Sequence, residues 1–463
     1  MRVLLVVYDN DSYIHWFPQG SAYIAAVLKQ AGHDVQIYSQ DFHHLPDEHL
    51  TAYLDRNRFD VIGVGIIAGY YQYKKLLAIS SAIANSKQRP AHFILGGHGP
   101  SPEPEFFLGK TGADIVVMGE GEATVVELFE ALANRTPLDK IKGIAYRDDQ
   151  KVMVNPRREL IKDIDTIPWP AYGLFPMEYY RLLRMPHCSH SDFVMPLLSG
   201  RGCTFTCNFC YRMDKGFRPR SAEAIVEEIQ YLKKEFNVSY IAFSDELLMS
   251  SGKRTIEICE AFLKAELNIK WDCNGRLNYA APEVLSVMKK AGCVFINYGI
   301  EAYDNDVLKN MQKALTINQI NKGIDATLSA GISPGLNMLF GHIGDTRESL
   351  NAAVEFLIQH DDGAQMRTIR PVTPYPGSPL YAHAIEKGLI ADIRDFYENK
   401  HLNSDLFATN FTNLSEEQLY SELTNANIRL MENYFENKKK RMVSQTRHLY
   451  ETRDASFRGF RQA

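Results

Sequence analysis

Twice along this chain, short and continuously apolar runs alternate with stretches of helical length. Apolar runs without polar alternation are buried on both faces, and parallel strands covered by helices on each side provide that burial. The first series has strand-like runs at 3–7, 34–38, 61–67, 92–96 and 115–118, with helical patterns at 21–31, 71–85 and 123–133. It predicts an α/β fold, a doubly wound Rossmann-like domain over residues 1–135. The second series has runs at 194–198, 240–243, 269–273, 294–300, 335–340 and 366–369 and sets a second β/α domain over 193–385. Between the two, Pro156, Pro168, Pro170, Pro176 and Pro186 break up residues 136–192, which read as a wrapping linker. Beyond 386 the pattern turns helical, with a capping start at Ser415 and apolar positions at Leu419, Leu423, Ile428, Leu430 and Met431. A small C-terminal helical domain over 386–463 is expected to close over the mouth of the second domain and to supply substrate contacts.

The chemistry concentrates in Gly202-Cys203-Thr204-Phe205-Thr206-Cys207-Asn208-Phe209-Cys210-Tyr211. Three thiolates in one loop suit an iron-sulfur cluster with one iron open to a substrate or cofactor. Zinc sites usually pair Cys-x2-Cys knuckles with a second pair or histidines, and no second pair appears. A disulfide framework fits poorly with seven cysteines, and the apolar run at the N-terminus is too short for a signal peptide. A reducing, cytoplasmic setting follows. Cys188, Cys259, Cys273 and Cys293 are scattered and read as buried thiols, with Cys188 left open.

This run resembles the radical S-adenosylmethionine (SAM) superfamily, whose signature is Cys-x3-Cys-x2-Cys followed by an aromatic, here Tyr211. The resemblance implies a 4Fe-4S cluster on Cys203, Cys207 and Cys210, SAM on the open iron, and a partial (β/α)6 TIM barrel for the second domain. Ligands gather at the C-terminal ends of barrel strands. The resemblance makes Tyr211 a cofactor-binding residue and, beyond the second strand, places Asp245 and Glu246 near SAM's methionyl ammonium. Asn274 and Arg276 would reach its ribose and carboxylate, and Glu301 its nucleoside side. Gly341-His342-Ile343-Gly344 resembles the stretch packed near adenine, and Pro371 to Pro379 an extended wall.

In a doubly wound sheet, ligands sit beyond the carboxyl ends of the strands. The loops there hold Gln19 and Gly20, Gly69 and Tyr70, Gly97-His98-Gly99-Pro100, and Gly119-Glu120-Gly121-Glu122. Ahead of the cysteine motif they resemble the cobalamin-binding domain of the cobalamin-dependent radical SAM enzymes, which makes these residues expected cobalamin contacts. No Asp-x-His-x-x-Gly motif is present, so the resemblance implies cobalamin without a histidine from that motif on cobalt. His15 and His98 are candidate neighbours of the corrin.

The expected reaction is methyl transfer from methylcobalamin to an unactivated carbon, opened by a 5'-deoxyadenosyl radical. The alternative is oxidative cyclisation or ring rearrangement without methyl transfer; a third reading is a non-catalytic cobalamin carrier. The expected partners are a small-molecule substrate and an electron donor such as flavodoxin or ferredoxin. A net charge of -5, from 51 basic and 56 acidic residues, gives no electrostatic case for nucleic acid. No apolar stretch is long enough to span a membrane.

Overall fold

The computed structural model describes residues 1–11, 16–149, 151–185, 187–212, 215–457 and 459; His15 and Pro186 lie outside them. The first domain carries β1 (Arg2–Val7), β2 (Asp34–Ser39), β3 (Val61–Gly65), β4 (His92–Gly96) and β5 (Ile115–Val117), parallel in the order β2-β1-β3-β4-β5. Val3, Leu5, Ile94 and Val117 point to helices Gln19–Gln30 and Glu122–Asn134, while Leu4, Val6, Leu95 and Val116 point to Tyr70–Ala84 and Pro104–Thr111. This two-sided burial is what the continuous apolar runs require.

Residues 136–192 are not irregular throughout. β6 (Ile144–Asp148) and β7 (Lys151–Val154) join β5 as an antiparallel hairpin and extend the sheet to seven strands. The hairpin ends before Pro156, so the prolines break up only the residues after it. In that remainder Tyr172, Phe175 and Tyr180 surround Phe17 with ring centres 5.1–5.3 Å away, cementing linker to first domain.

The second domain is an open barrel. β8 (Val194–Leu197) leads to a small antiparallel ribbon of β9 (Gly200–Cys203) and β10 (Gly216–Pro219). Then come β11 (Tyr240–Phe243), β12 (Lys270–Gly275), β13 (Cys293–Glu301), β14 (Ser333–Phe340) and β15 (Ile369–Pro371). Six of these strands run parallel in the order β8-β11-β12-β13-β14-β15. The last starts at Ile369 rather than at 366, because Arg367 is drawn to Asp361 at 3.2 Å and Asp362 at 2.9 Å before the ladder begins.

The C-terminal region divides. Tyr381, Ala384, Ile390, Phe396, Tyr397 and Ala408 share a core with the first domain. The helix Glu416–Thr452, opened by a Ser415/Gln418 capping box, buries Leu419, Leu423, Ala426 and Leu430. It lies along the barrel edge, not over its mouth: Asn427 accepts from the Ile369 N–H at 2.8 Å and donates to the Ile369 carbonyl at 3.0 Å. An unpaired edge strand invites pairing with other chains, and this side chain satisfies both backbone groups. Among the described residues no helix is long and apolar enough to cross a membrane.

Candidate functional site

The three cysteines sit on the β9–β10 ribbon and the loop that joins its strands. Cys203 lies opposite Gly216, Cys207 is buried and Cys210 is solvent-accessible. Asn208 pins this loop to the barrel. Its N–H donates to the Met311 carbonyl at 3.1 Å and its carbonyl accepts from Leu380 at 2.9 Å. Its amide nitrogen donates to the Asn310 carbonyl at 2.8 Å, and its amide oxygen meets His342 Nε2 at 2.9 Å. Burial pushes His342 down to about 4, so the ring stays neutral in that contact.

Packing of the chain around it, and then the thiols of Cys207 and Cys203, push the Cys210 thiol up to about 11. Among the described residues no three His, Cys, Asp or Glu converge closely enough to hold a single metal ion. Three cysteines carried on one ribbon and its loop have the chemistry that suits a 4Fe-4S cluster with one iron left open. Cys188 packs with Val194, Tyr240 and Val294 at the starts of the barrel strands, the end away from the ribbon.

Beyond β11 three successive residues go three ways. Ser244 donates to Gln19 Oε1 at 2.6 Å, crossing to the first domain. Asp245 is buried, and its two carboxylate oxygens accept from the Ser199 N–H at 3.0 Å and the Ser199 hydroxyl at 2.7 Å. Burial pushes its pKa up to about 6. It ties β11 to the end of β8. Glu246 is exposed and accepts from the Gly202 N–H at 3.2 Å, beside the first cluster cysteine.

The other expected SAM contacts are also engaged. Asn274 donates to the Asp245 carbonyl at 2.9 Å and accepts from Asn297 at 3.0 Å, and Asn297 accepts from Asn337 at 2.9 Å. This amide ladder crosses β12, β13 and β14 and ends on the exposed Asn337. Glu301 accepts from Lys313 at 2.9 Å. Arg276 turns to the cluster loop, with Nη1 3.9 Å from Cys207 Sγ.

On the first domain, the loop after β4 faces the cluster loop. Gly97 has φ 96°, and a side chain there would collide with the Ile66 carbonyl. The turn presents His98, whose ring meets Tyr211 edge to face with centres 6.1 Å apart. Packing lowers the His98 pKa against the opposing pull of Glu246. Gly99 and Pro100 are buried within this loop. Gly377, from the proline-rich stretch, closes the same corner: a Cβ there would strike the Tyr211 ring and come within 3.1 Å of Pro102 Cβ.

Cobalamin fits this edge on two observations. Gly20 and Gly119 have no atom within 4 Å of where a side chain would stand, so the edge is open to a large planar ligand. Gln19 Nε2 is buried without a hydrogen-bond partner among the described residues, a donor free for an amide or phosphate. Gly69 only starts the helix Tyr70–Ala84, and the Tyr70 ring carries the Lys74 ammonium at 4.4 Å.

Glu120 and Glu122 are engaged by arginines of the second domain. Glu120 accepts from Arg201 at 2.9 Å and Arg218 at 2.8 Å, and Glu122 accepts from Arg201 at 2.6 Å. Burial alone would raise the Glu120 pKa, but the Arg201 hydrogen bond and the Ile161 N–H hold it below the usual carboxylate range. Gly121 packs under Ile24. Sequence reasoning missed Ser199, Arg201, Asn208 and Arg218. For Arg201 the available signal was a charged residue two positions before Cys203; its partners, about eighty positions away, carry no local signature.

Residues 197–357 match the Radical SAM superfamily and residues 6–129 match the B12 binding domain. An uncharacterized methyltransferase of Pyrococcus horikoshii is 30% identical over 84% of this chain and 84% of its own. The anaerobic magnesium-protoporphyrin IX monomethyl ester cyclase of Rubrivivax gelatinosus is 27% identical over 82% of this chain and 69% of its own. The radical SAM methyltransferase TsrM of Kitasatospora setae, solved with cobalamin and a 4Fe-4S cluster, shares the fold with a TM-score of 0.75 at 16% identity, covering 93% of this chain and 88% of that one.

Proposed function

The chain belongs to the cobalamin-dependent radical SAM enzymes, and on that premise we propose that it is a methyltransferase acting on an unactivated carbon of a small-molecule substrate. When bound, SAM at the cluster supplies a 5'-deoxyadenosyl radical and cobalamin supplies a carrier for the methyl group. Cys203, Cys207 and Cys210 hold the cluster, and Asn208 fixes their loop. Glu246 and Asn337, exposed residues beside the ribbon and at the end of the amide ladder, take polar groups of SAM. Gln19, Gly20, His98 and Gly119 face the corrin. Phe205 and Phe209 shield the cysteine loop from water. The carrying observation is the contact of His98 with Tyr211, at 6.1 Å between ring centres, which sets the two cofactor loops face to face. Reaction between two bound groups needs that orientation.

The methyltransferase relative supports methyl transfer, and the cyclase relative keeps cyclisation as a second reading. Product counting on the reduced, reconstituted protein with SAM and hydroxocobalamin separates them. Methyl transfer yields S-adenosylhomocysteine together with 5'-deoxyadenosine. 5'-Deoxyadenosine alone would favour cyclisation, and retained cobalamin with neither product would favour a carrier. We place the enzyme in the reducing cytoplasm with a flavodoxin or ferredoxin as electron donor, a reading supported by seven free cysteines.

A further inference from the structure

Arg276 is a buried cation whose counter-charge is missing. Its residue exposure is 9%. Its guanidinium donates to the Lys313 carbonyl, reaches the Asn278 amide oxygen at 3.4 Å and lies over the Phe205 ring, 3.5 Å from the ring centre. None of these groups is anionic, and among the described residues no carboxylate pairs with it. The neighbouring buried cation differs: Lys313 has Glu301 at 2.9 Å. An uncompensated buried charge is costly, so the anion that balances Arg276 must lie elsewhere. Its Nη1 points to Cys207 Sγ at 3.9 Å, while Nη2 is taken by the Lys313 carbonyl. With its two ends divided in this way, the guanidinium cannot grip a carboxylate such as SAM's in bidentate fashion.

We propose that Arg276 is the internal counter-ion of the iron-sulfur cluster, a positioning and tuning residue that raises the cluster's reduction potential through Cys207. Hydrogen bonds to cluster sulfurs and local net charge set such potentials, and a positive charge favours the form carrying one more electron. Phe205, stacked on the guanidinium, keeps water from screening the interaction. The step concerned is the entry of one electron from an external low-potential donor; no bond forms or breaks in it. The inference rests on the reading of Cys203, Cys207 and Cys210 as cluster ligands and is independent of methyl transfer.

The test is a redox titration with dithionite and mediators, followed by paramagnetic resonance, on the reconstituted full-length protein without SAM. Arg276→Gln should lower the midpoint by at least ~59 mV, the equivalent of tenfold for a one-electron couple. Arg276→Lys, which keeps the charge, should lower it less. Asn278→Asp leaves the arginine in place, offers it a carboxylate on an exposed position and should also lower the midpoint. Full iron content with an unchanged midpoint in Arg276→Gln overturns the proposal, as does an equal shift in the lysine and glutamine variants. If Arg276→Gln fails to hold iron, Asn278→Asp decides, and an unchanged midpoint there is equally fatal. A wild-type protein that takes up no iron would sink the cluster reading instead.

Discussion

Arg201 donates to Glu120 at 2.9 Å, joining the strand that ends at Cys203 to the loop beyond β5 of the other domain. Arg201 also holds Glu122, and Glu120 also holds Arg218, so four charges form one largely buried clamp. A ligand that moved the β5 loop would pull on the ribbon that carries Cys203.

Removing one partner from a buried ion pair leaves the other charge uncompensated, at a cost of about 3 to 5 kcal/mol. Glu120→Gln should therefore lower unfolding stability by about 3 kcal/mol, the lower end, because Arg201 keeps Glu122. Urea unfolding followed by tryptophan fluorescence measures this, and limited proteolysis should show faster cleavage around residues 155–165. Equal stability in the variant would mean that the clamp contributes nothing to domain docking.

Asp245 holds its proton up to about pH 6 when folded, against a usual value of 3.8. Between about pH 4 and 6 the folded state binds a proton that the unfolded state has lost, so stability from this group falls as pH rises through that window. It is fully present below about pH 4 and gone above about pH 6. Asp245→Asn removes the dependence. Wild-type stability relative to the variant should decline by ~2.4 kcal/mol from pH 4 to pH 7, since each tenfold change in proton affinity is worth about 1.4 kcal/mol. A flat difference across that range would show that burial of the carboxylate has no thermodynamic effect.

Gly377 has φ 87° and leaves no room for a side chain against Tyr211. Gly377→Ala should move Tyr211 away from His98, the larger displacement, and press only lightly on Pro102. Misplacement of a positioning group by about 1 Å can cost on the order of 100-fold in rate. Iron and cobalamin contents are expected to match wild type, with 5'-deoxyadenosine formation reduced by about that factor. Unchanged turnover would mean that Tyr211 has no positioning role.

The parts legible in the sequence are those with local causes. Continuous apolar runs such as Val3–Val7 and Tyr240–Phe243 announce two-sided burial, and both parallel sheets follow from them. Three cysteines within one loop announce a cluster because their neighbourhood is built into the chain. The hairpin β6–β7 was missed because its apolar signal is one short run, Ile144-Ala145-Tyr146, set beside a proline-rich stretch. The long C-terminal helix was visible from its cap, but its place along β15 was not, since that depends on the pairing of Asn427 with Ile369.

By itself, then, the sequence determined two α/β domains, a three-thiolate loop and a glycine-lined sheet edge, because periodicity, spacing and turn chemistry act between near neighbours. Only the tertiary structure decided what the acidic and basic residues do. Glu120, Glu122, Asp245 and Glu301 have the composition of a binding site, yet each finds its partner on another element: Arg201 and Arg218, Ser199, or Lys313. A buried charge is settled by whichever opposite charge or donor folding brings within about 3 Å, and that choice is made across tens of residues where no local pattern reaches.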